Sequence, residues 1–174
     1  MNFRRLLVAV ALSVCASSAN AITFEGTTVG APTWNRPVEG APPPSLSGIA
    51  TSVPNPSTPC SATLGETYVF VSQTTVPVIW DNFTLLYEDS FDAATPLANA
   101  LIGDDDFTNT AGMSGFTSVL TAGTSYFFIT TGFGNSDDGA FSNSIIGPGR
   151  VILPGPIFVD GFETGNFTWS ATLP

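Results

Sequence analysis

The chain has 174 residues with 14 acidic side chains against four arginines, and it contains neither lysine nor histidine. Binding of nucleic acid or of anionic lipid needs clustered basic side chains, so both are excluded as partners. The missing histidine and lysine also remove Ser-His-Asp and Cys-His catalysis, Schiff-base chemistry and histidine-ligated metals.

Arg4 and Arg5 precede an uncharged apolar run, Leu6 to Ala16, and Ala19-Asn20-Ala21 then places small residues where a signal peptidase reads them. The expectation is a signal peptide over 1–21 with cleavage before Ile22, which makes the protein secreted or extracellular, with the periplasm or cell surface as alternatives. The run is too short to span a bilayer, and no later stretch qualifies as a span. A lipoprotein cut before Cys15 is the competing reading, with Val14 standing where a small residue is expected. Cleavage before Ile22 leaves 153 residues and, by removing Arg4 and Arg5, moves the formal charge from −10 to −12. That is the size of one domain. Cys60 is then the single cysteine, which leaves a buried thiol or an intermolecular link, the buried thiol being the better fit to a core large enough to stand alone.

Residues 26–60 carry eight prolines and are expected to wrap a sheet or form its edge, because proline lacks the backbone donor that a central strand needs. Residues 67–72 are apolar and β-favouring on both faces, as in a core strand. Over 82–88, Phe83, Leu85 and Tyr87 alternate with Asn82, Thr84 and Glu88, which predicts a strand with one wet face. Further strands are predicted at 97–102, 116–121, 124–131, 141–146 and 150–153, separated by Gly, Asp, Asn and Pro clusters. No window sustains a 3.6-residue period, so the pattern reads as all-β, a jelly-roll-like antiparallel β-sandwich over 22–156.

The string Asp81-Asn-Phe-Thr-Leu-Leu-Tyr87, with Ser90-Phe-Asp92, Pro96-Leu-Ala-Asn99, Asp105-Asp-Phe107, Leu120-Thr-Ala-Gly-Thr-Ser-Tyr-Phe-Phe128, Thr130-Thr-Gly-Phe-Gly-Asn135 and Gly147-Pro-Gly149, resembles the bacterial pre-peptidase C-terminal type of domain. The likeness runs from about Pro32, where Pro32-Thr-Trp-Asn-Arg-Pro37 fits the front of such units, to Gly149. It implies a jelly-roll-like sandwich, usually non-catalytic, that accompanies secreted enzymes and adhesins. This chain departs from the pattern in carrying no catalytic domain and in the paired acids of Asn135-Ser-Asp-Asp-Gly139.

Residues 157–174 are read as a C-terminal tail or terminal strand. Within them Ile157 to Trp169 resembles tails of other secreted bacterial proteins, and a sorting or attachment signal is the alternative. Trp34, Trp80 and Trp169 have the chemistry to stack on sugars, although in small sandwiches tryptophan more often packs the core.

The acids carry the sharpest expectation. If 82–88 and 97–103 pair as an antiparallel hairpin, Asp81 comes to lie beside Asp104, Asp105 and Asp106. Four carboxylates at one end repel or raise one another's pKa unless a cation intervenes, and oxygen ligands in loops suit Ca²⁺. Asp81, Asp104, Asp105 and Asp106 are therefore the candidate metal ligands and Ca²⁺ the candidate cofactor. The sequence reading is a non-enzymatic binding module acting on an unknown protein or glycan at the cell surface. A carbohydrate-binding module or adhesin is the alternative within binding functions, and an acid-pair glycoside hydrolase the alternative among enzymes.

Overall fold

The computed structural model describes residues 19–52, 59–75 and 80–154. The bulk of the predicted signal peptide, Cys15, the tail over 157–174 and Trp169 lie outside the described residues. Alternating apolar and β-branched residues dominate what is described, and they form strands β1 (Asn20–Thr27), β2 (Thr33–Pro37), β3 (Leu46–Ser52), β4 (Pro59–Ala62), β5 (Thr67–Thr74), β6 (Asn82–Glu88), β7 (Ala100–Asp104), β8 (Met113–Val119), β9 (Ser125–Gly132), β10 (Ala140–Gly147) and β11 (Val151–Ile152). A 3₁₀ turn at Phe107–Asn109 is the one helical element among the described residues, and no helix there is long and apolar enough to cross a membrane.

Two antiparallel sheets face each other, one in the order β1-β10-β5-β8 and one in the order β11-β4-β9-β6-β7. From β5 onward the chain crosses between them at nearly every connection, only β6 and β7 remaining together, so contacts are long-range and the fold is an all-β sandwich. The main core lies between the sheets, where Tyr68, Phe70, Leu86, Phe116, Leu120, Tyr126, Phe128 and Ile145 pack with Cys60 and Ala62. Phe70, Phe116 and Phe128 form its aromatic centre with ring centroids 5.2–5.9 Å apart, a spacing at which edge-on contact is favourable.

A third layer was legible only in part. The β2–β3 hairpin forms its own two-stranded sheet and, with the loop 89–99, covers the far side of the five-stranded sheet. Trp34, Phe83, Leu85, Tyr87, Ala100 and Ile129 make a second core there, joined by Phe91. Of the proline-rich segment, β2 and β3 wrap the sheet, whereas Pro59 and Cys60 open β4, which lies between β11 and β9 within the five-stranded sheet. The same wrap corrects the reading of 82–88: β6 has no wet face, because Phe83, Leu85 and Tyr87 point into the second core while Asn82, Thr84 and Leu86 are buried between the sheets. The strand predicted at 97–102 starts at Ala100, since Asn99 takes a positive φ of 62° and ends the preceding turn. The sequence reading had no strand at 20–27, yet β1 pairs along its whole length with β10, Ile22 opposite Ile145. The predicted cleavage point before Ile22 falls inside this strand.

Candidate metal centre

The β6–β7 hairpin forms with Thr84 opposite Asp104 and Leu85 opposite Gly103. Continuing this register past the strand ends carries Asp81, just before β6, toward Asp105 and Asp106, just after β7. One carboxylate oxygen from each of Asp81, Asp105 and Asp106 lies within 4.8 Å of the other two. Asp104 stands outside this group. Its Oδ1 accepts a hydrogen bond from the Asp105 backbone N–H at 2.8 Å, and its carbonyl accepts one from Thr84 Oγ1 at 3.4 Å.

Each acid is fixed by the main chain. The Asp81 carbonyl accepts from the Phe133 N–H at 2.9 Å, which ties the start of β6 to the end of β9. Asp106 forms an isolated antiparallel bridge with Ser114, anchoring the acidic run to β8. Asp105 is half-buried, and its Oδ1 is enclosed without a hydrogen-bond partner among the described residues. Burial, reinforced by the negative charges of Asp81 and Asp106, pushes its carboxyl up to about 6, against the opposing pull of Arg36. The Asp81 carboxyl is also raised, first by desolvation and then by Asp137 and Asp106.

Arg36 is the residue that sequence reasoning passed over. It is 3% exposed, and its guanidinium donates to the carbonyls of Gly132, Pro37 and Phe133 at 3.0–3.1 Å. The guanidinium carbon sits 3.9 Å from the centre of the Phe83 ring and 5.0 Å from that of Phe133. Burial lowers its pKa, while Asp105 and Asp81 act to hold the proton. The available signal was scarcity: in a chain whose acids so outnumber its bases, an arginine between two prolines in the wrap has a specific place to fill. Its single charge offsets part of the carboxylate repulsion from inside, but three of its five N–H donors go to carbonyls and one cation stands against three acids, so an excess of negative charge remains.

The other singled-out residues pack. Trp34 Nε1 donates to Thr131 Oγ1 at 3.1 Å and its ring meets Phe91 edge-on at 5.4 Å. Trp80 Nε1 donates to the Ala140 carbonyl at 3.1 Å, with its indole against Gly139, where a Cβ would collide with the ring. Both are about 95% buried, so neither offers a ring face to a sugar. Cys60 is a buried free thiol whose pKa desolvation pushes up to about 12. Among known proteins, no family model matches the chain and no curated protein matches it.

Proposed function

We propose that the chain is an exported, non-catalytic β-sandwich module that binds a partner outside the cell and carries a Ca²⁺ ion at its acidic end. The observation that supports the ion is the convergence of Asp81, Asp105 and Asp106, with one Asp105 oxygen enclosed and without a partner among the described residues. Three hard oxygen donors from two loop segments beside strand ends are the ligand chemistry of calcium, and backbone carbonyls or water complete such a shell. The N-terminal signal pattern supports export. The resemblance to pre-peptidase C-terminal domains supports a role as an accessory module of secreted proteins.

The test is calorimetric titration of the folded chain with Ca²⁺ and, separately, Mg²⁺, repeated on Asp105→Asn and Asp106→Asn. The reading expects a single saturable Ca²⁺ site that weakens at least tenfold in each variant. Heats indistinguishable from dilution in the unaltered protein would remove the ion from the proposal. The N-terminus of the exported product is read by intact mass, with Ile22 expected first.

A further inference from the structure

The interior of the sandwich changes character along the strands. Beyond the aromatic core, Asn143, Ser72 and Ser114 are successive cross-strand partners on β10, β5 and β8, and Thr84 pairs with Thr130 on the facing sheet. All five, with Asn82, are no more than 1% exposed. This is a polar layer in a place where apolar side chains are the rule, and each of its atoms needs a partner to stay buried at little cost.

Most atoms of the layer have one. Thr130 Oγ1 lies 2.9 Å from Asn143 Oδ1 and 3.0 Å from Ser72 Oγ, bridging the sheets. Asn82 Nδ2 donates to the Ser72 carbonyl at 3.0 Å. That bond fixes the amide orientation, because a flipped amide would set oxygen against oxygen. Asn82 Oδ1 is therefore an acceptor, and it is enclosed with no partner among the described residues; Ser114 Oγ, on the residue beside Ser72, is enclosed with no partner among them as well. Two orphaned oxygens thus flank Ser72, one reaching from each sheet. The hydroxyl can donate and the amide oxygen accept, yet no direct hydrogen bond joins them, whereas one water can donate to the amide oxygen and bond the hydroxyl together.

We infer that the sandwich holds one internal water between Asn82 Oδ1 and Ser114 Oγ, cross-linking β6 to β8. Its ligand class is a small neutral donor–acceptor, because the surrounding groups are hydroxyls and amides without charge. The water ties the strand that follows Asp81 to the strand bridged to Asp106, and it does so whether or not a cation binds the acids.

A crystal structure of the unaltered protein showing ordered solvent is the direct test: the inference expects density within 3.2 Å of both atoms, and a dry contact at that position overturns it. Ser114→Ala gives an independent sign. If the hydroxyl were a dry orphan, deleting it would raise the melting temperature. If it holds the water, its loss lowers the melting temperature, by roughly 3 °C for a domain of this size, and a rise overturns the inference.

Discussion

Replacing Asp105 by Asn separates the electrostatic burden of the acidic end from its capacity to bind an ion. In the folded chain the Asp105 carboxyl titrates near 6, against about 3.9 for an unfolded aspartate. A shift of two units would correspond to about 3 kcal/mol for a fully desolvated group; Asp105 is only half-buried and screened by solvent, which leaves about 1 kcal/mol. The charge opposes folding, so in chelator at pH 7.5 the Asp105→Asn protein is expected to melt about 3 °C above the parent. Calcium at a hundredfold excess over its dissociation constant adds about 2.7 kcal/mol to the parent, or very roughly 8 °C. The variant has lost a charged ligand and gains less, so the order of the two melting curves reverses between chelator and calcium. Differential scanning calorimetry of both proteins in both buffers reads this directly. A variant that melts below the parent in chelator would refute the electrostatic reasoning, and equal calcium shifts in the two proteins would refute the site.

The same carboxyl sets a pH dependence with a definite sign. Between about pH 4 and 6 the folded form holds a proton the unfolded form has lost, so metal-free stability falls as pH rises through 6 and then levels; in urea titrations this component is expected in the parent and absent in Asp105→Asn. Arg36→Met strands three carbonyl acceptors in the second core and is expected to cost about 2–4 kcal/mol by chemical denaturation, whereas the exposed Arg150→Met changes stability by less than about 0.5 kcal/mol. Cys60 should resist a thiol reagent in the native protein and react at once in urea; rapid labelling of the folded chain would contradict its burial.

What could be read from the sequence and what could not divides along a physical line. β5, β6, β9 and β10 are dense in β-branched and aromatic residues, and that local signal marks their centres to within a residue or two. β7 and β8 were displaced because their ends are set by turn geometry, as at Asn99 with its positive φ, and not by apolar content. β1 to β4 are harder to read: β1 holds Ile22 and Phe24 but spans the predicted cleavage point, and β2 to β4 lie in the proline-rich segment, where a few apolar residues such as Trp34 and Ile49 stand among small and polar ones; their pairing is set by partners distant in sequence, β10 for β1 and β9 for β4. The acidic convergence was legible for the opposite reason. A hairpin ties residues a short distance apart in sequence, so knowing that 82–88 turns back on the next strand was enough to bring Asp81 to Asp105 and Asp106.

The polar residues of β6 show why one face was misjudged. Alternation of Asn82 and Thr84 with Phe83 and Leu85 is the pattern of a strand that is half in water, and the inference fails only where both sides are covered. Here the two coverings differ in kind: an aromatic wrap over Phe83 and Leu85, and a hydroxyl-and-amide layer over Asn82 and Thr84. Polarity along a strand therefore reports which chemistry lies opposite it, and water is only one candidate for that role. In this chain the second candidate is another row of polar side chains, Asn143, Ser72 and Ser114. That row holds the strands in register where hydrophobic packing, which tolerates sliding, would not, and it does so next to the end of the sandwich where the three carboxylates must be kept close against their own repulsion.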